Sequence, residues 1–160
     1  MGKGFLSVIA LFFCTVLALV LMAGCVSLPV KVANSTPSAD PVMGRFDADL
    51  ANGPVFIEFG ASWCDWCTKE RPVIDELTRE YPGVRFYNID ADNSEDLVNA
   101  FYVNGIPQMN VIAGKNADGT YVYIDAYGNA TNDRKKSGII GYTESDQLKQ
   151  VLDAALGSRK

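Results

Sequence analysis

Apolar and polar positions alternate in a few distinct ways along the chain, and each way predicts an element. Phe5 to Ala23 is almost continuously apolar after a short start containing Lys3, the pattern of an export segment. Val26 to Asp40 has no helical or strand period and carries Pro29, Pro37 and a cluster of Asn34, Ser35, Thr36 and Ser38, so it reads as a linker. Val55 to Phe59 is dense in β-formers between Gly53-Pro54 and Gly60, and predicts a buried strand. Its one polar residue, Glu58, must be either desolvated or at a sheet edge. A helix is predicted from Cys64 to Tyr81, because Val73, Ile74, Leu77 and Tyr81 share a face and Pro82-Gly83 ends the run. Pro72 inside it should kink it.

Val84 to Ile89 predicts a second strand. Ser94 is placed to cap a helix running through Leu97, Val98 and Phe101. Gly105-Ile106-Pro107 stops that helix and leads into a strand from Gln108 to Ala113. After the Asp118-Gly119 turn, Tyr121 to Ile124 is positioned to return antiparallel. Asp125 to Ser137 is polar and holds Asp133-Arg134-Lys135-Lys136, which predicts a solvated loop or extended hairpin. Leu148, Val151, Leu152 and Leu156 then recur at helical spacing. Strand, helix, strand, helix, hairpin and helix make an α/β sandwich with a mixed sheet. The chain divides into residues 1–24 as a signal segment, 25–40 as a linker and 41–160 as one domain.

Composition narrows the function. With 160 residues and 48% hydrophobic content the chain holds one core-bearing domain beyond its leader. A formal charge of -5 makes nucleic acid an unsuitable partner. The chemistry concentrates in Trp63-Cys64-Asp65-Trp66-Cys67, two thiols within one helical turn directly after an apolar strand. At a helix mouth the first sulfur, exposed at the tip, meets unsatisfied backbone N–H groups that stabilise a thiolate, and the second is close enough to close a disulfide. Zinc would need four ligands, whereas the chain has no histidine and its other cysteines, Cys14 and Cys25, lie in or beside the apolar leader. A purely structural disulfide is the other alternative, but so short a loop gains little chain entropy and is readily reduced. Disulfide exchange is the reading the residues favour.

Leu21-Met22-Ala23-Gly24-Cys25 resembles the lipobox of bacterial lipoproteins, with Met22 where leucine is commonest. That resemblance implies lipidation of Cys25 and a domain held outside the cytoplasm on a membrane. An uncleaved apolar helix would place the domain on the same side.

The domain resembles thioredoxin from near Arg45 to Leu156. Trp63-Cys64-x-x-Cys67 is similar to the family's active site, Pro72 to the proline in its active-site helix, and Asn88-Ile89-Asp90 to the close of its central strand. Gly105-Ile106-Pro107 is similar to its cis-proline loop, and Gly141 with Gln147-Leu148-Lys149 to its last turn and helix. The resemblance implies a thioredoxin-like sandwich, a mixed central sheet flanked by helices. It also implies Cys64 as attacking thiolate, Cys67 as resolving thiol, and a cis Pro107 that sets Ile106 beside the sulfurs to receive an extended peptide. Glu58 falls at the family's buried acid, which implies a raised pKa and a proton relay to Cys67. Phe86 stands where a lysine often pairs with that acid.

Asp65 puts a negative charge about 6 Å from Cys64, worth roughly 0.7 to 3 kcal/mol against the thiolate. This favours the disulfide and hence a reductase of protein or peptide disulfides, with no cofactor beyond the Cys64–Cys67 couple and no metal. The alternatives are an oxidase that inserts disulfides, a copper(I) carrier using both thiolates, and an interaction module with an idle disulfide. Trp63 and Trp66 flank the thiols in the manner of exported thioredoxin-like proteins, as a platform for substrate or, for Trp66, as a cover on the helix. A monomer is expected, fed by a membrane electron donor.

Overall fold

The computed structural model describes residues 41–159. The signal segment 1–24, Cys25 and the linker 25–40 lie outside the described residues. In chain order the elements are α1 (Pro41–Asp49), β1 (Val55–Gly60), α2 (Asp65–Glu80), β2 (Arg85–Asp90), α3 (Glu95–Ala100), β3 (Gln108–Lys115), β4 (Tyr121–Ile124), β5 (Ala130–Thr131), β6 (Ile139–Ile140) and α4 (Ser145–Gly157). Short 3₁₀ turns occupy Ala91–Asn93 and Arg134–Lys136.

The sheet runs β2-β1-β3-β4-β5, with β6 paired to the start of β3. Among the described strands only β1 and β2 are parallel; β1–β3, β3–β4, β4–β5 and β3–β6 are antiparallel. Every β1 position is buried, because both faces of the sheet are covered. Strand alternation then sorts the core into two layers. Val55, Ile57 and Phe59 point toward Phe46 of α1 and Leu97 of α3, while Phe56 points toward Leu77 of α2 and Leu148, Val151 and Leu152 of α4. Glu58 shares the parity of Phe56, so its carboxyl is carried to the α2 side of the sheet.

Three readings of the sequence need correction. No element was expected between residue 41 and Val55, yet Met43, Phe46 and Leu50 bury one side of α1 and the turn that follows it. The segment is short, and Gly44 interrupts its helical signal. Ser94 holds the N-cap position of α3 as expected, but its side chain makes no capping hydrogen bond; the side-chain cap in this segment is that of Asp90, which accepts from the Asp92 N–H in the preceding 3₁₀ turn. Finally, of the two readings of 125–137 the extended hairpin holds, since Ala130–Thr131 pairs antiparallel with Tyr123–Ile124, but the segment is not wholly solvated. The Arg134 guanidinium lies 4.9 Å from the Phe101 ring centre, and donates to the Tyr123 hydroxyl (2.6 Å) and the Ala100 carbonyl (3.0 Å).

Candidate active site

β1 ends at Gly60, and four residues later α2 begins with Cys64 as its N-cap. Cys64 has an extended backbone (φ -86°, ψ 107°), and its Sγ accepts the Cys67 N–H at 3.1 Å. The two cysteines are joined in a disulfide. The expectation of an exposed first sulfur is not met: Cys64 is 6% exposed and Cys67 1%, because the neighbouring residues close over the helix tip. Ala61 and Ile106 pack around them. Because an N-cap sulfur already occupies a backbone N–H that would otherwise be orphaned, the geometry that closes the disulfide is the one that can hold a thiolate.

The Ile106–Pro107 bond is cis. The Pro107 carbonyl accepts the Gly141 N–H (2.8 Å), and Gln108 pairs with Ile140 of β6, so the turn before β3 is fixed from the far side. Gly141 adopts φ +89°, a conformation glycine takes without a Cβ clash.

Glu58 is 2% exposed and lies in the interior of the sheet, not at an edge. Burial pushes its pKa up to about 7, a rise opposed by the charge of Arg71, reinforced by Glu70 and opposed by the hydrogen bond from Asn88. Oε2 accepts from Asn88 Nδ2 at 2.7 Å, while Oε1 is buried without a partner among the described residues. A Cβ placed on Gly60 would lie 3.4 Å from Cys67 Sγ and 3.8 Å from Glu58 Oε1. Sulfur and carboxyl therefore face one small space that the missing side chain at residue 60 leaves open. A carboxyl whose pKa is about 7 is present in both forms near neutral pH, and can give a proton as the acid or take one as the carboxylate.

Trp63 (67% exposed) and Trp66 (55%) stand on the rim. Trp63 Nε1 donates to Asp92 at 2.8 Å. The Trp66 ring centre is 6.3 Å from that of Tyr142, and Lys69 Nζ lies 4.2 Å from it. Ile140, half exposed, continues the apolar rim beside Gly105. Among the described residues no group of three or more Cys, Asp or Glu side chains is arranged to hold a metal ion, and no helix is long and apolar enough to cross a membrane.

The structure thus brings Cys64, Cys67 and Ile106 together against the cis Pro107, with Glu58 behind and Trp63 and Trp66 in front. A family profile described as Thioredoxin matches residues 40–133. The chain belongs to the thioredoxin family. Its relatives include the thioredoxin of Pseudomonas aeruginosa, 32% identical over 80 residues that cover 48% of this chain and 74% of that protein. Thioredoxin M4 of Arabidopsis thaliana chloroplasts is 26% identical over 104 residues, 64% of this chain; the chain spans about half the length of such plant relatives (45%). Among solved structures, the thioredoxin NaTrxh of Nicotiana alata superposes with a TM-score of 0.53 at 22% identity, covering 73% of this chain and 87% of that one, which shows the shared fold. With its Cys64–Cys67 disulfide, the domain is a thioredoxin-like protein-disulfide oxidoreductase.

Sequence reasoning missed four residues that shape this thioredoxin-family site: Asn88, which partners Glu58; Gly60; Tyr142; and Glu70. Glu70 had a legible signal. Cys67, Glu70, Ile74 and Leu77 form the buried stripe of α2, at spacings of three, four and three, so an acid occupied a position the pattern reserves for the core.

Proposed function

We propose that the protein reduces disulfides of partner proteins outside the cytoplasm, held to a membrane through a lipidated Cys25 and recharged by a membrane electron donor. The observation that carries the reading is the Cys64–Cys67 disulfide seated against Ile106 at the cis Pro107. In the reduced protein the Cys64 thiolate attacks one sulfur of the partner disulfide, expelling the other as a thiolate and forming a mixed disulfide. Glu58, as carboxylate, accepts the Cys67 proton, and the Cys67 thiolate attacks Cys64 Sγ. The partner leaves with both sulfurs reduced, and two electrons have passed from the Cys64–Cys67 pair. The donor returns them.

Asp65 supports the reducing direction, because a carboxylate at the first position of α2 opposes a thiolate on Cys64 and so stabilises the disulfide relative to the dithiol. The apolar run before Cys25 supports export and attachment.

Replacing Cys67 with serine in the full chain should leave mixed disulfides on Cys64, whose partners are identified by mass spectrometry. Extracytoplasmic proteins with paired cysteines are the expected catch; an empty trap at normal protein levels overturns the reading. Direction is tested by equilibrating the couple against glutathione, where a potential near the roughly -120 mV of strong oxidants defeats the reductase assignment. For the anchor, Cys25→Ala should abolish incorporation of labelled fatty acid; undiminished labelling rules out attachment at that sulfur.

A further inference from the structure

A glutamate with no solvent exposure, set in the apolar stripe of α2, costs the fold free energy that leucine at the same place would not. Glu70 is such a residue. It lies one turn below Trp66 and Cys67 on the same helix, and its Oε2 accepts the backbone N–H of Thr143 at 2.9 Å. Oε1 is buried with no partner among the described residues. The two ends of the bond belong to different halves of the site. Thr143 closes a corner in which its hydroxyl donates to the Gly141 carbonyl (3.2 Å) and the Gly141 N–H donates to the Pro107 carbonyl (2.8 Å). Between them stands Tyr142, packed beside Trp66. One carboxyl therefore joins the helix carrying the cysteines to the corner that holds the cis-proline turn and one side of the aromatic rim.

We propose that Glu70 is a positioning residue for peptide substrates: its carboxyl clamps the 141–143 corner onto α2, keeping Tyr142 beside Trp66 and the Pro107 turn in register with the sulfurs. This rests on the reading of the rim as a site for protein disulfides. Glu70 does not touch the reacting atoms. Its removal should be felt by a substrate that spans the rim and hardly at all by a disulfide small enough to meet Cys64 alone.

The test uses the full-length protein: insulin is the peptide disulfide, with dithiothreitol as recycling reductant, and dithiobis(nitrobenzoate) is the small one, mixed in a single turnover with protein reduced beforehand and freed of dithiothreitol. Glu70→Leu, close in size and apolar, should raise KM for insulin about tenfold with kcat within about twofold, and leave the small disulfide unaffected. Glu70→Gln keeps an oxygen for Thr143 and should restore the insulin KM. Tyr142→Ala should raise it as Glu70→Leu does, and the double variant should be little worse than either, the mark of one shared clamp. Amide hydrogen exchange at Thr143 should quicken in Glu70→Leu but not in Glu70→Gln. An unchanged insulin KM in Glu70→Leu, equal losses on both disulfides, or unchanged Thr143 exchange overturns the clamp. Should the wild type reduce the small disulfide but not insulin, the protein-disulfide reading falls, and Thr143 exchange still decides the clamp.

Discussion

Asn88 Nδ2 donates to Glu58 Oε2 across the parallel β1–β2 pair, from the residue directly opposite in register. The carboxyl's hydrogen-bond partner among the described residues is thus a neutral amide, not a cation that would hold it ionised. With no cation bonded to it, burial dominates and Glu58 keeps its proton to near neutrality.

This fixes a sign for stability. Below the ordinary value of 4.5 both folded and unfolded states hold the proton and Glu58 contributes nothing. Between 4.5 and about 7 the unfolded chain releases the proton first, so stability falls as pH rises; above about 7 the deficit is constant. The shift corresponds to about 3 kcal/mol. Glu58→Gln should therefore stabilise the oxidised protein by up to about 3 kcal/mol at pH 8 and hardly at all at pH 4.5, read by urea unfolding. A gain independent of pH would show that the carboxyl's ionisation is not responsible. The same variant should slow release of partner from a mixed disulfide by about 100-fold or more.

Asp65 is exposed at the first position of α2, directly after the cysteine that caps it. Asp65→Asn should lower the Cys64 pKa in the reduced protein and raise the potential of the couple by roughly 15 to 60 mV, following from the Coulomb range at about 6 Å. Thiolate absorbance against pH and glutathione equilibration measure the two. Both quantities unmoved would remove Asp65 as a determinant of direction.

Trp66→Ala should cost little stability, under about 1 kcal/mol, since more than half of the side chain is already in water. It should lower kcat/KM on insulin about tenfold. Large destabilisation with intact insulin kinetics would identify Trp66 as a cover on the helix.

Arg134 divides the basic run into one structural residue and two solvated ones. Arg134→Ala loses two hydrogen bonds and an aromatic contact and should destabilise by about 2 to 3 kcal/mol, whereas Lys135→Ala should stay within about 0.5 kcal/mol. Equal small effects on thermal unfolding would restore the wholly solvated reading.

The contrast between those two neighbours shows where sequence reasoning ends. β1, α2 and α4 were legible because their apolar periods are long and Gly or Pro punctuates them, and the cysteine pair announced its own chemistry. Arg134 looked like any charge in a polar run, since Phe101 and Tyr123, which make it structural, lie far away in sequence. Glu58 could be read as buried or marginal until the flanking strands were in place. Asn88 lies in a motif that reads only as a strand end, and its bond to Glu58 depends on register, which spacing alone does not fix. α1 escaped because a nine-residue helix interrupted by Gly44, after a polar linker, is a weak signal.

The near-complete enclosure of both sulfurs carries a kinetic meaning. A collision from bulk solution strikes indole, phenol or isoleucine far more often than sulfur, so reactivity is rationed by approach. Among large partners, one whose contour already complements the surrounding ring brings its own sulfur to Cys64 most readily, and choosiness among protein targets is exercised before any bond is exchanged.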